Sequence, residues 1–386
     1  MASAIYLDYN STTPILPEVL EEMMPYLKGN YGNASSRTHK FGWDANDAIK
    51  IARGKVAELL NAKPDEITFN SGSTEGINFL IKGAYDENSQ KGNHIITVKT
   101  EHKAVIDVCD YLVDKGANVT YLDVDESGLI NLKELEENIN DQTILICVMF
   151  ANNETGVIQN ISEIGEIASK NNILFMTDAT QAIGKIPVDV KKYNIDLLTL
   201  SAHKIGGPKG VGAVYVKRKY PRIKIAPLLH GGGHEKGLRS GTLNVPGIVG
   251  LGKASELAMK TQLDYFNSCI KKRDFLESEL LKINGVEING IHTDRLPNTT
   301  NLFIENVDAE ALIMKVREKL AIASGSACTS SNVLPSHVIM AMYNNENRAY
   351  SSIRISIHSD TNLSDIKNVC EILNNQIISI LRLNLT

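Results

Sequence analysis

The sequence predicts an α/β protein, with a mostly parallel mixed sheet in a large domain and a smaller α+β domain beside it. Three observations carry this expectation. From about residue 67, short apolar runs alternate with helical patterns, the rhythm of a parallel sheet covered on both faces. After about residue 258 longer helical patterns dominate and strands become fewer. The chain has 386 residues, more than one simple core holds. The expected boundaries are 15–258 for the large domain and 1–14 with 259–386 for the small one.

The elements follow in order. Ile67-Thr68-Phe69 reads as a strand that leads through Ser71-Gly72 into a helical pattern from Thr74 to Ala84. His94 to Val98 is the next strand, followed by apolar periodicity from Val105 to Val113. Further strands are expected at Val119 to Val124, Ile144 to Phe150, Ile173 to Met176, Leu197 to Leu200 and Val211 to Val216. Leu132 to Ile139 and Ile161 to Ala168 read as helices between them. In the second region Asp308 to Lys319 has a helical pattern. The last segment places Ile366, Val369, Cys370, Leu373, Ile377, Ile380 and Leu381 on one helical face.

Charge and composition narrow the function. A formal net charge of −5 gives no overall positive field for nucleic acid or an anionic membrane, so direct binding to either is not expected. The Lys217-Arg218-Lys219 stretch with Arg222 and Lys224 reads first as a solvated surface, with a docking patch for an acidic partner as the alternative. The longest apolar run, Ile144 to Ala151, is far below the roughly 18 residues of a membrane helix. The opening residues show no signal-peptide pattern. Five cysteines without metal-type spacing or pairing fit a reducing, cytoplasmic setting.

In open parallel sheets ligands gather at the carboxyl ends of strands, so the polar residues that follow each strand are the candidates. Lys204 follows Leu197 to Leu200 in Ser201-Ala202-His203-Lys204-Ile205-Gly206-Gly207. An enclosed lysine among small residues suits a Schiff base, although a lysine in a glycine-rich loop alone says little. Asp178 closes the preceding strand. A carboxylate there can pair with the protonated ring nitrogen of pyridoxal phosphate; aspartate also serves as a helix N-cap at such junctions. The two at successive strand ends are a narrower coincidence than either alone. Ser71-Gly72-Ser73-Thr74-Glu75 joins a strand to a helix and offers hydroxyls and N–H groups to a phosphate. His102 follows another strand, placed to stack on a flat ring or shuttle protons. Asn153, in Asn152-Asn153-Glu154-Thr155-Gly156, is a candidate for cofactor or substrate contact as well as for turn chemistry. Arg354 lies in an alternating strand pattern and suits a bidentate grip on a carboxylate.

Cys328 stands apart from Cys109, Cys147 and Cys370, which lie in apolar-periodic segments that packing explains. Its neighbours in Ser324-Gly325-Ser326-Ala327-Cys328-Thr329-Ser330 are small and polar. That setting suits a nucleophilic thiol once its pKa is lowered. A competing reading takes His230-Gly231-Gly232-Gly233 as an oxyanion-hole segment, but no Gly-x-Ser-x-Gly elbow accompanies it. Metal binding by His230 and His234 has no further ligand motif behind it.

Together these residues resemble the cysteine desulfurases of the class V aminotransferase family, in the NifS/IscS-like branch. Leu7-Asp8-Tyr9-Asn10-Ser11-Thr12-Thr13-Pro14, Thr100-Glu101-His102, Asp178-Ala179-Thr180-Gln181, His230-Gly231-Gly232-Gly233-His234-Glu235 and Arg239-Ser240-Gly241-Thr242 add to the segments above, in family order. The resemblance implies a homodimer of the pyridoxal-phosphate-dependent transferase fold, type I. Lys204 would carry the cofactor, Asp178 would pair with its ring nitrogen, His102 would lie over the ring and Gln181 near its phenolic oxygen. Ser73, Thr74, Ser201 and His203 would hold the phosphate, with Thr242 from the second subunit. Asn153 and Arg354 would bind the carboxylate of L-cysteine. Cys328 would receive the sulfur as a persulfide and pass it to an acceptor such as an iron–sulfur scaffold or a thiolation protein. Gly206 departs from the pattern, since a larger residue often follows the lysine there, and so does Ile357-His358-Ser359.

Overall fold

A computed structural model describes residues 4–218, 220, 222–325 and 334–383. Its centre is a seven-stranded sheet in the order Ile67–Asn70, Gly212–Val216, Leu197–Ser201, Leu174–Asp178, Thr143–Cys147, His94–Val98, Asn118–Leu122. Gly212–Val216 alone runs opposite in direction to the other six strands. The expected strands are present. Thr143–Cys147 ends sooner than expected because residues 148–150 leave the ladder, although the Val148 and Phe150 N–H groups still bond across to Met176 O and Asp178 O.

Strand residues alternate between the two faces of a sheet, and here both faces are buried. Ile96, Ile146, Phe175 and Leu198 join one core with Ala45, Ile49 and Ala52 of the helix Lys40–Leu59. Ile95, Leu145, Met176 and Leu197 join the other with Ile77, Leu80 and Val105 of the helices Ser73–Asn88 and Lys103–Val113. At roughly 25 cal/mol per Å2 of apolar surface, such two-sided burial is the main stabilising term.

A second core gathers on a four-stranded antiparallel sheet, ordered Ala323–Ser324, Ser352–Ser356, Thr299–Ile304, Val286–Ile288. Ile366, Val369, Leu373 and Ile377 of the terminal helix Leu363–Leu383 pack against it, as their spacing requires. The helix Val245–Leu280 runs from the first core to the second, so residue 258 falls inside it. The N-terminal segment is stitched into the second region. Ile5–Tyr6 pairs in parallel with Leu320–Ala321, and Leu7 is fully buried there.

Candidate active site

A cavity of about 340 Å3 opens at the carboxyl edge of the large sheet. Chain order in the sheet reverses between His94–Val98 and Thr143–Cys147, the kind of crevice where such sheets bind ligands. Ser73, Thr74, His102, Asn153, Asp178, Gln181, Ser201, His203 and Lys204 all line it.

Lys204 ends a short helical turn, Ala202–Lys204, that directly follows the strand Leu197–Ser201. Its Nζ donates to the carbonyls of Asn10 (2.6 Å) and Ser11 (2.8 Å). Gly206 behind it has φ +79°, and a Cβ there would meet Leu16 Cγ at 2.5 Å. The small residue that departs from the family pattern is therefore matched by Leu16, which fills the space.

Asp178 is the last residue of Leu174–Asp178, the neighbouring parallel strand. Its Oδ1 accepts from both the backbone N–H (2.9 Å) and the hydroxyl of Thr180. This Asx-type turn holds the carboxylate while it lines the cavity. Thr180 Oγ1 is also 2.6 Å from Ser73 Oγ, which ties the carboxylate to the start of the helix Ser73–Asn88.

That helix start is drawn close to the sheet by Gly76. A Cβ at this position would lie 2.2 Å from Thr199 Oγ1 and 2.9 Å from Val214 Cγ1, so only glycine permits the approach. A Cβ at Gly72 would in turn stand 3.6 Å from Ser201 Oγ; its absence leaves that hydroxyl open. Beside them, His203 Nδ1 is engaged by Thr12 Oγ1 at 3.0 Å. Burial, then the charges of Lys204 and Lys209, push its imidazole down to about 4.

His102 caps the helix Lys103–Val113, its Nδ1 accepting from Ala104 N at 3.1 Å. A neutral ring then carries its hydrogen on Nε2. Its pKa is lowered, first by desolvation against the surrounding walls and against the opposing pull of Asp178; Lys204 and His337 lower it further. The ring itself remains open to the cavity. Beneath it Glu101 is fully buried, accepts from Met149 N and is raised well above the usual carboxylate range by burial and by Asp178.

Arg354 is not among the lining residues. It lies in Ser352–Ser356, 5% exposed, with Nη2 2.6 Å from Asp8 Oδ1 and Nη1 3.1 Å from Asn153 O. Its Nε is buried without a hydrogen-bond partner among the described residues. Thr242 is exposed and apart from the cavity. Cys328 lies outside the described residues. Cys109, Cys147, Cys269 and Cys370 are buried free thiols. Cys269, although it stands in a polar helical stretch, is 0% exposed. No group of His, Cys, Asp and Glu among the described residues suits a metal ion, and His234 Nδ1 instead accepts from Gly241 N at 3.3 Å.

Three residues of the site gave no signal of their own in the sequence. Asn10 is 1% exposed and joins both sheets. Its backbone N–H donates to Ser356 Oγ, its Nδ2 to Thr299 Oγ1 and Asn153 O, and its carbonyl accepts from Lys204 and Gln181. Thr180 and Lys185 were equally silent. Asn10 and Thr180 stand inside motifs that the sequence did mark; Lys185 stands outside any.

The residues present fit pyridoxal phosphate. Hydroxyls, an imidazole and the N–H groups of a sixteen-residue helix meet at one part of the cavity, as a phosphate dianion requires. A carboxylate for a ring nitrogen and an amine for an aldehyde complete the set. Such a cradle on such a sheet defines a pyridoxal-phosphate-dependent enzyme of fold type I. The chain belongs to the class-V aminotransferase family, which its residues 5–369 match. It is 49% identical over 374 residues to the cysteine desulfurase IscS of Neisseria meningitidis serogroup C, covering 97% of this chain and 92% of that one. It is 46% identical over 379 residues to that of Pectobacterium atrosepticum, covering 98% and 93%. Among solved structures, a NifS-like protein superposes with a TM-score of 0.90 at 36% identity, covering 98% of this chain and all of that one. SspA, solved in complex with cysteine, superposes with a TM-score of 0.81 at 37% identity, covering 92% and 99%.

Proposed function

We propose that this protein is a cysteine desulfurase that converts L-cysteine to L-alanine and holds the sulfur as a persulfide on Cys328. The observation that carries the reading is the pair Lys204 and Asp178, closing adjacent parallel strands on one cavity beside an anion-binding helix start. The likeness to IscS proteins over nearly the whole chain supports the substrate.

Bound pyridoxal phosphate supplies an electron sink for bonds at the substrate Cα. Lys204 would hold it, and its amine is the base placed to take the Cα proton. Asp178 would pair with the ring nitrogen and favour its protonated form, and His102 would face the ring. Ser73, Thr74, Ser201 and His203 bind the phosphate, with Thr242 reaching it from a second copy in a homodimer. Asn153 and Arg354 bind the cysteine carboxylate. The Cys328 thiolate attacks the substrate sulfur, an S–S bond forms, and the sulfur–Cβ bond breaks with its electron pair left on the carbon fragment, whose Cβ takes up a proton to become the methyl of alanine. An acceptor thiol then takes the sulfur by exchange. The other four cysteines are poor candidates for that thiolate. Burial pushes Cys109 up to about 12 and Cys269 and Cys370 up to about 11, and it raises Cys147 as well. The acceptor class that fits is a protein thiol, on an iron–sulfur scaffold or a thiolation protein, in the cytoplasm. Among the described residues no helix is long and apolar enough to cross a membrane.

The purified protein should be yellow, borohydride should fix the cofactor on Lys204, and cysteine should yield alanine. Cys328→Ala should keep the colour and lose alanine and sulfide production. A colourless protein that cannot be reconstituted would overturn the enzyme reading. Unchanged desulfuration in the variant would overturn the role of Cys328.

A further inference from the structure

Lys185 is 3% exposed, yet no carboxylate pairs with it among the described residues. Its Nζ donates to Gln181 Oε1 at 2.7 Å and to Asn10 Oδ1 at 3.0 Å. It does not line the cofactor cavity. It lines a second one, of about 360 Å3, which shares Lys204 with the first. Its surroundings disfavour a charge: burial, then Lys204, push the amine down to about 7, with Arg354 adding to this and Cys269 opposing. Burying an amine without a counter-ion costs stability, so a packing role alone would be better served by an apolar side chain.

The geometry shows what the amine contributes. A glutamine amide has nearly the same shape at its two ends, and only hydrogen-bond partners decide which faces where. An amine always brings N–H donors, whether charged or neutral. Lys185 therefore holds the oxygen end of Gln181. The nitrogen end donates one hydrogen to Asn10 O at 2.8 Å, the same carbonyl that accepts from Lys204 at 2.6 Å. The amide's second N–H remains for an acceptor in the cavity that Gln181 lines. A carboxylate in place of Lys185 would repel the amide oxygen and compete for Lys204, so a cation or amine is what the position needs.

We infer that Lys185 is a positioning residue: it fixes the Gln181 amide with its nitrogen toward the cofactor, where it donates to the phenolic oxygen. This rests on the reading that Gln181 meets that oxygen. A donor there stabilises the phenolate and loosens its hold on the neighbouring imine proton. Losing the donor raises the pH at which the visible band of the holoprotein titrates, by about one unit.

The test is a double-mutant cycle read by absorbance, with cofactor Kd measured alongside. Gln181→Leu should raise the titration midpoint, Lys185→Met should raise it comparably, and the double variant should move by clearly less than the sum of the two single shifts. Removing the Lys185 charge would raise the midpoint by itself, but that part would persist in the Gln181→Leu background. Additive shifts therefore overturn the inference, as does an unshifted Lys185→Met beside a shifted Gln181→Leu. If Gln181→Leu leaves the midpoint unmoved, the reading of Gln181 is what fails. Should Lys185→Met not fold, Lys185→Gln keeps an N–H donor and should shift the midpoint less than Gln181→Leu does; an equal or larger shift overturns the inference.

Discussion

At the carboxyl edge of the seven-stranded sheet, each site residue follows its own strand within a few positions: His102 after Val98, Asn153 after Cys147, Asp178 at the end of its strand, Lys204 after Ser201. The four-stranded sheet reaches the site differently. It offers one side chain, Arg354, and grips the N-terminal segment through Asp8 and Asn10. The first arrangement is local in sequence, since a strand end carries its chemistry with it. The second spans more than 280 residues in its hydrogen bonds and exists only after the chain has folded. On the proposed reading, the large sheet would supply the groups that act on the cofactor, and the small sheet a grip on what enters.

That division can be broken by substitution. The largest effect is expected at Asp178→Asn, which keeps the shape and the Thr180 turn but removes the charge proposed to face the ring nitrogen. Loss of one such electrostatic partner costs about 10²–10³ in kcat. Alanine formation under saturating cysteine should show it, with cofactor still bound. Arg354→Lys should come next and act on KM: it keeps a cation but loses the planar fork. KM for cysteine should rise about tenfold, with kcat changed less. If Arg354→Lys instead lowered kcat alone, the small sheet would take part in chemistry and the division would fail.

The same contrast explains what could be read in advance. Strands such as His94–Val98 were legible because their apolar runs are buried on both faces and bounded by polar residues. Site residues were legible because they sit just past those runs. Ile5–Tyr6 gave no such signal: it is two residues long and is defined by its partner at Leu320–Ala321. Asn10 reads as an ordinary loop residue until Lys204, Gln181, Lys185 and Asn298 converge on it. Lys185 was silent for another reason. A lysine in sequence signals a surface, and its burial follows only from the packing of the turn after Gln181. The ion pair of Arg354 with Asp8 was likewise hidden, because both residues were marked separately and nothing local joins them.

The smallest expected effect sharpens the comparison at the phosphate end, where the large sheet and the N-terminal segment meet through His203 and Thr12. Burial and neighbouring lysines hold His203 at about 4 in the folded protein, against about 6.5 for an unfolded histidine. Between these values the unfolded chain takes up a proton that the folded one does not. Its contribution to stability is therefore complete above pH 6.5 and is lost progressively as pH falls toward 4. In His203→Gln this contribution vanishes. Melting of the cofactor-free variant should fall less steeply between pH 6.5 and 4 than that of the parent protein, and the two curves should run parallel above pH 7. Parallel curves throughout would mean that His203 titrates as freely as in the unfolded chain. Burial and the charges of Lys204 and Lys209 would then leave the ring unperturbed.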